Sequence, residues 1–320
     1  MQERTLEVLE YEKILEKVAS QARSSVIKNK ILNLAPMTDA DEIKEELENT
    51  AQMVGVISRF GNIDLFGLYD FTAMIGYVRK RGILEPFELL QVNDLLRVAE
   101  YLKDYGKDIE EPYIKDLFAR ISTNDFIKDE IERSIISEDE IADNASSELR
   151  NIRRQKARKE ADIKAKLNSY ISSDRYNDAL QDKVVSIRDG RYVVPVKTNK
   201  KSVIGGIIHD KSSSGNTIFV EPAAIVELNN QLKDLELKED DEIRRILDRL
   251  SRFVEKFDVE ILENQKIIGR IDFLAAKAKF AINNEYTKPK ITTDKIIKLN
   301  QARHPLLTGK VVPIAVSYTH

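Results

Sequence analysis

Basic and hydroxyl side chains, the groups in this sequence best suited to binding chemistry, are concentrated in residues 181–222. This stretch carries seven basic and four acidic residues, a difference of +3 (7 − 4), whereas the whole chain has a formal net charge of −3. Lys and Arg bind nucleic-acid phosphates largely through the release of condensed counterions, and Ser hydroxyls donate hydrogen bonds to phosphate oxygens. The candidate nucleic-acid-binding residues are Arg188, Arg191, Lys197, Lys200, Lys201, Lys211, Ser212 and Ser213. Ordinary solvated turn residues are the competing interpretation.

Other chemistry has little support in the sequence. The absence of Cys excludes a disulfide framework, a thiol nucleophile and Cys-ligated zinc. The three His residues, His209, His304 and His320, are far apart, which argues against a His-rich metal site. His209 precedes Asp210, but no nucleophile or ligand spacing accompanies the pair, so we expect a structural role. We assign no catalytic residue and no metal ligand.

The elements that must position the basic stretch are strands flanked by long helices. Runs of Val, Ile, Tyr and Phe alternate with turn residues within 181–222, and Asp189-Gly190 predicts a type I′ hairpin because that turn needs positive φ at both positions. On either side, thin apolar seams with helical spacing carry a basic run, Arg150–Lys159, and an acidic run, Glu239–Glu242. Folding the helices back on each other opposes the two runs, which predicts an antiparallel coiled coil with a small β tip. A nucleic-acid patch is the alternative interpretation of the basic run.

The rest of the chain is predicted to be mainly helical. Helix starts are expected at Thr38-Asp39 and at Pro86 and Pro112. Further helices are predicted over 66–81, over 258–285, and from the N-terminus to Leu34, with extended segments at 290–291 and 296–299. The composition, 33% charged and 42% hydrophobic, suits an elongated helical protein. No apolar run approaches the ~20 residues that span a bilayer, and the N-terminus lacks a signal-like pattern, so a cytoplasmic protein is expected.

Four ordered motifs resemble one known family. They are RYVVPVK (191–197), GIIHDKSSSGNTIFVEP (206–222), NNQLKDLELKEDDEIRRIL (229–247) and ARHPLL (302–307). Together they resemble the second bacterial paralogue of the MutS ATPases, the branch without mismatch-reading N-terminal domains. The resemblance extends over nearly the whole chain, as far as Pro313.

The resemblance implies an architecture and a function. It implies a helical core and lever from 1–139 and 258–288, a coiled-coil clamp from 140–257 with its β tip at 181–222, and the start of an α/β ATPase domain at 291–313. In this family the clamps of a homodimer reach around a nucleic-acid target while ATP hydrolysis drives their movement. The implied roles are suppression of homologous recombination on DNA and detection and splitting of collided ribosomes through rRNA contacts. Many members add a C-terminal endonuclease domain.

The sequence also departs from the family pattern. It contains no GxxxxGK[ST] phosphate-binding loop, so no cofactor is expected in this chain and no catalysis of its own, whereas ATP and Mg are expected in the remainder of the ATPase domain. Val311 and Val312 correspond to positions where the family packs adenine. Ile314 follows Pro313 where the family has Asn or Asp, and VSYTH (316–320) resembles translated adapter sequence, so 314–320 are expected not to be native.

Two alternatives to a nucleic-acid clamp are considered. One is a coiled-coil scaffold whose β tip binds a protein partner. The other, an independent nuclease, is disfavoured because no clustered carboxylates or His could hold a metal. The choice between DNA and the ribosome as the main target is left open.

Overall fold

The computed structural model describes residues 3–294, 296–307 and 311–319, and in that part of the chain it is mainly helical with three small antiparallel sheets. The mainly α fold class is therefore confirmed. The chain divides into two compact units, Met1–Glu132 with Leu250–His320, and Arg133–Arg249. Among the described helices, none combines the length and the apolar character needed to cross a membrane.

The elements are numbered along the chain. The helices are α1 (Glu3–Val8), α2 (Tyr11–Ala19), α3 (Ser25–Leu32), α4 (Ala40–Phe60), α5 (Thr72–Val78), α6 (Pro86–Tyr105), α7 (Pro112–Arg120), α8 (Asp125–Ser134), α9 (Ser147–Ile171), α10 (Asp174–Asn177), α11 (Ala223–Glu255) and α12 (Asp258–Asn283). The strands are β1 (Ile135–Ser137), β2 (Glu140–Ile141), β3 (Ser186–Arg188), β4 (Arg191–Lys197), β5 (Gly206–Lys211), β6 (Thr217–Pro222), β7 (Ile296–Ala302) and β8 (Ile314–Thr319).

Several helix starts in the first unit are those predicted from the sequence. Asp39 precedes α4, and its Oδ1 accepts hydrogen bonds from the backbone N–H groups of Asp41 at 2.9 Å and Glu42 at 3.0 Å. These bonds satisfy amides that have no partner within the helix. Helices α6 and α7 begin at Pro86 and Pro112, where the missing N–H of proline costs nothing.

The helix predicted over 66–81 is wrong in its first half, because only α5 is helical there. Gly67 has a φ of 60°, in the left-handed region that favours glycine. A Cβ at Gly67 would lie 2.5 Å from Cβ of Asp94, so its backbone approaches α6 closely. This close approach requires a loop conformation before α5.

The continuous N-terminal helix predicted as far as Leu34 is also wrong. Glu10, with φ of 51°, separates α1 from α2. After α2 the chain turns, and the buried carboxylate of Asp272 on α12 accepts from the amides of Arg23 at 3.0 Å and Ser24 at 2.9 Å. Burial raises the pKa of Asp272 despite these hydrogen bonds, which favour the charged form. The start of α3 is therefore stabilised both by this distant carboxylate and by a local cap, since the hydroxyl of Ser24 accepts the N–H of Val26 at 3.2 Å.

The second unit contains a four-stranded antiparallel sheet in the order β3-β4-β6-β5. The predicted Asp189-Gly190 hairpin is confirmed, since both residues have positive φ, 50° and 72°, between β3 and β4. One face of the sheet packs on α9 and α11. The buried residues of this core are Ile163, Leu167, Ile171, Ala179, Leu180, Tyr192, Val194, Val196, Ile204, Ile218, Val220, Ile225 and Leu232.

Ion pairs join α9 to α11 within the second unit. Arg153 Nε lies 2.8 Å from Oε1 of Glu239, and Lys156 binds the other oxygen of the same carboxylate. Ser146, which caps α9, lies 2.8 Å from Oε1 of Glu242. Members of the basic and acidic runs thus face each other, as the charge pattern predicts. Burial alone would raise the pKa of Glu239, but the hydrogen bonds and charges of the two cations hold it below its ordinary value.

The C-terminal part of the first unit contains one two-stranded sheet. Strands β7 and β8 are antiparallel, with Leu299 opposite Val316. The extended segment predicted at 296–299 is confirmed as part of β7, whereas residues 290–291 lie outside any strand.

Candidate nucleic-acid interface

The lysines and serines predicted to bind nucleic acid come together at one end of the four-stranded sheet, where β4 ends and β6 begins. Lys197 pairs with Thr217 across the two strands. The backbone N–H of Thr198 donates to the carbonyl oxygen of Asn216 at 3.0 Å, and its hydroxyl donates to the carbonyl of Gly215 at 2.7 Å. These bonds join the segment after β4 to the turn before β6. The candidate residues in these two segments and at the adjoining ends of β4 and β5, which we call the lysine end, are Lys197, Lys200, Lys201, Lys211, Ser212 and Ser213.

The serine turn of the lysine end is held by its own hydrogen bonds. Ser212 donates its backbone N–H to the carbonyl of Thr217 at 2.9 Å, and its hydroxyl oxygen accepts the N–H of Thr217 at 3.1 Å. Gly215 closes the turn with φ of 74° and donates to the carbonyl of Ser212 at 2.8 Å. Ser212 therefore shapes the turn, whereas Ser213 is exposed and available for a ligand.

The lysines differ in their acidic partners. Lys200 Nζ lies 2.8 Å from Oδ2 of Asp178, and Lys197 Nζ lies 4.0 Å from Oδ1 of the same carboxylate. Lys201 and Lys211 are exposed, and no carboxylate within the described residues lies in ion-pair distance of either. Two of the four lysines thus share the carboxylate of Asp178, and the carboxylate of Asp210, next to Lys211, is paired with Arg188.

The two predicted arginines differ in how far they lie from the lysine end. Arg191 opens β4, about 20 Å along the strand from Lys197 at ~3.3 Å per residue. Arg188 stacks on the ring of Phe219, 3.9 Å from its centroid, and its Nε lies 3.1 Å from Oδ2 of Asp210. Arg191 pairs with Glu221. Both guanidinium groups are thus engaged within the unit: that of Arg188 lies beside Asp210, the residue before Lys211, whereas that of Arg191 is bound to the buried Glu221.

A buried polar network lies beside Arg191, and the sequence did not reveal it. Glu221 is fully buried, and its carboxylate accepts from Arg191 at 2.9 Å, from Asn229 at 2.7 Å, and lies 2.5 Å from Nε2 of His209. The position of His209 is in line with the structural role expected for it. Arg191 also donates to Oδ1 of Asn230 at 2.8 Å. The available signal in the sequence was Asn229, a polar residue at a buried position of α11.

The side chain of Asn229 contacts the sheet in a second way. Its Nδ2 donates to the carbonyl oxygen of Tyr192 at 3.1 Å, and its Oδ1 accepts the N–H of Tyr192 at 3.3 Å. Asn229 is 2% exposed. Helix α11 is therefore hydrogen-bonded directly to the main chain of β4.

The remaining candidate residues lie elsewhere. Val311 and Val312 belong to the segment before β8, and Val312 is 80% exposed. Their assignment to adenine packing stays a prediction. In the basic run of α9, Arg153 is engaged with Glu239, whereas Arg154 is exposed. Within the described residues no group of three or more His, Asp or Glu could hold a metal ion.

Comparison with curated proteins identifies the relatives of this chain as members of the MutS family. The chain is 42% identical, over 98% of its length, to the Endonuclease MutS2 of Clostridioides difficile (strain 630) and to that of Alkaliphilus oremlandii (strain OhILAs). It is 40% identical over 98% of its length to the Endonuclease MutS2 of Acetivibrio thermocellus. No family model matches the chain.

The chain is homologous to part of these MutS2 proteins, which confirms its resemblance to the second bacterial paralogue of the MutS ATPases. It spans about two fifths of the length of these relatives, 40% in each case.

Proposed function

We propose that this chain forms the lever and clamp portion of a MutS-like ATPase and that the lysine end grips the phosphate backbone of a nucleic acid. The lever would consist of 1–139 and 258–288, and the coiled-coil clamp of 140–257. Residues 291–313 would begin the ATPase domain. The observation that carries the proposal is the convergence of Lys197, Lys200, Lys201 and Lys211 at one end of a sheet.

The chemistry of the lysine end favours backbone contact over base reading. Lysine ammonium groups act as point charges toward phosphate oxygens, and the exposed hydroxyl of Ser213 adds a hydrogen-bond donor. No aromatic side chain belongs to this set of residues, so stacking on bases is not expected from it. The proposed contact is therefore sequence-independent and salt-sensitive.

In the whole protein, this grip would serve a movement driven by ATP. The homodimer would close its two clamps on DNA, which suppresses recombination, or on collided ribosomes, which it would then split. ATP hydrolysis and nuclease activity would belong to other segments of the relatives, and this chain would contribute binding and transmission of force. The protein would act in the cytoplasm.

The test is co-sedimentation of the chain with collided ribosomes, with branched DNA as competitor, at two salt concentrations. Salt-sensitive binding that DNA does not displace would identify the ribosome as the target, and displacement by DNA would identify DNA. The double variant Lys201→Gln/Lys211→Gln should bind at least about tenfold more weakly, since each lost phosphate contact lowers the salt slope by ~0.9 on duplex DNA. Lys183→Gln, with the same charge change outside the lysine end, is the matched control.

Loss of binding only in the double variant would support the proposal. If the wild-type chain binds neither target, or if the double variant and the control bind alike, the proposal is wrong. A protein-binding scaffold then becomes the better description of the β tip.

A further inference from the structure

One acidic side chain, Asp178, is held against the lysine end. It follows α10, and the next residues join the edge of the sheet: Lys197 donates its backbone N–H to the carbonyl of Ala179 at 2.9 Å, and Leu180 forms a bridge with Val196. These main-chain contacts fix the position of the Asp178 backbone beside the end of β4. The Asp178 carboxylate is therefore held close to Lys197 and Lys200.

The carboxylate of Asp178 interacts with two lysines at once. Its Oδ2 lies 2.8 Å from Nζ of Lys200, and its Oδ1 lies 4.0 Å from Nζ of Lys197. Lys197 Nζ also donates to the backbone carbonyl of Asp178 at 3.0 Å. The hydrogen bond from Lys200 and the charges of both lysines lower the pKa of Asp178, so the group is an anion at neutral pH.

Carboxylate and phosphate oxygens bind an ammonium group through the same charge-assisted hydrogen bonds. Asp178 is 78% exposed, and the two lysines are 40% and 42% exposed. Exposed ion pairs of this kind contribute little to stability because solvent screens them. A phosphodiester arriving from solvent can therefore replace the carboxylate at small cost.

We propose that Lys197 and Lys200 form a phosphodiester subsite in which the carboxylate of Asp178 occupies the place of the phosphate until a nucleic acid displaces it. Lys201 and Lys211, which have no acidic partner in the described part of the chain, make the first contacts. Lys197 and Lys200 join only when Asp178 moves aside. This inference rests on the proposed function of the lysine end.

If the subsite exists, removal of the Asp178 charge should increase the affinity of the chain for DNA. Asp178→Asn keeps the shape of the side chain and removes its charge, which abolishes the ion pair with Lys200 and the attraction of the carboxylate for Lys197. We expect the dissociation constant for a 20-base-pair DNA duplex, measured by fluorescence anisotropy, to fall about three- to tenfold at 100 mM salt. The plot of log K against log salt should also steepen by about 1 or more, since each additional phosphate contact adds ~0.9.

The matched control is Asp189→Asn, which makes the same charge change in the hairpin at the other end of β4. Asn tolerates the positive φ of that position, 50°. A second variant, Asp178→Asn/Lys200→Gln, should return the affinity to about the wild-type value.

The outcomes separate the two proposals. If the wild-type chain binds DNA and Asp178→Asn binds no more tightly than Asp189→Asn, the subsite is wrong and the proposed function stands. If the gain persists in the variant that also lacks Lys200, the subsite is wrong as well. If no variant binds DNA, the proposed grip on DNA and the subsite are both overturned.

Discussion

Replacement of Glu221 by alanine tests whether a buried carboxylate holds the four-stranded sheet to α11. Glu221 is 0% exposed and accepts hydrogen bonds at 2.9 Å from Arg191 and 2.7 Å from Asn229, with His209 at 2.5 Å. Removal of one partner of a buried ion pair costs about 3–5 kcal/mol. Arg191 is 27% exposed and retains its bond to Asn230, so it can be rehydrated. We therefore expect the lower end of that range, about 3 kcal/mol.

The assay should be local, because a chain of two units need not unfold in one step. Native-state amide hydrogen exchange reports the opening free energy of individual segments. A loss of about 3 kcal/mol corresponds to roughly 150-fold faster exchange. We expect this acceleration at the central amides of β4 and β6, such as Val194 and Val220, whereas the amides of α4 in the first unit should keep their wild-type rates.

The control for this experiment is Glu221→Gln, which keeps the shape and can still accept from Arg191 and Asn229. It should give an intermediate acceleration, because the charge is lost and the hydrogen bonds to these two residues are retained. Exchange in the alanine variant within threefold of wild type would refute the reasoning. That result would mean that the cost of burying the carboxylate cancels the bonds it accepts.

Two further predictions concern the same unit. In Gly206→Ala, the new Cβ would lie 2.0 Å from the carbonyl oxygen of Glu221. Strand β5 should therefore lose exchange protection, whereas Gly205→Ala, which meets no atom within 4 Å, should not change it. The second prediction concerns pH. Because the pKa of Glu239 is lowered from 4.5 in the folded chain, the stability it contributes is present above that value and is lost as pH falls through the lowered pKa. The opening free energies of α9 and α11, measured by native-state amide hydrogen exchange, should show Glu239→Gln less stable than wild type at neutral pH and equal to it at low pH. A difference in stability between Glu239→Gln and wild type that is the same at every pH would contradict the assignment of this pH dependence to Glu239.

Local chemistry explains the elements that the sequence predicted well. The Asp189-Gly190 turn, the capping residue Asp39 and the first-turn prolines Pro86 and Pro112 each satisfy a backbone requirement with residues adjacent in sequence. The order of the strands at the lysine end does not follow from local turns, because β6 lies between β4, which carries Lys197, and β5, which carries Lys211.

Features that depend on distant contacts could not be predicted in this way. The loop at Gly67 lies in close approach to Asp94, and the turn before α3 is hydrogen-bonded to Asp272 on α12 in addition to its local cap, Ser24. The division of the basic candidates into free and engaged groups likewise depends on partners far along the chain. Arg191, for example, is committed to Glu221, thirty positions away.

The contact between Asn229 and Tyr192 explains how a strand can end in proline and continue directly into a helix. The register that pairs Val194 with Val220 brings Pro222 opposite Tyr192, and proline has no N–H to donate. The carboxamide of Asn229 carries two N–H donors and one acceptor oxygen on a short stem, so it binds both the carbonyl and the N–H of Tyr192 and still donates to Glu221. Position 229 therefore accepts few other residues: Asp lacks the donor, Leu lacks both groups, and Gln is one methylene too long.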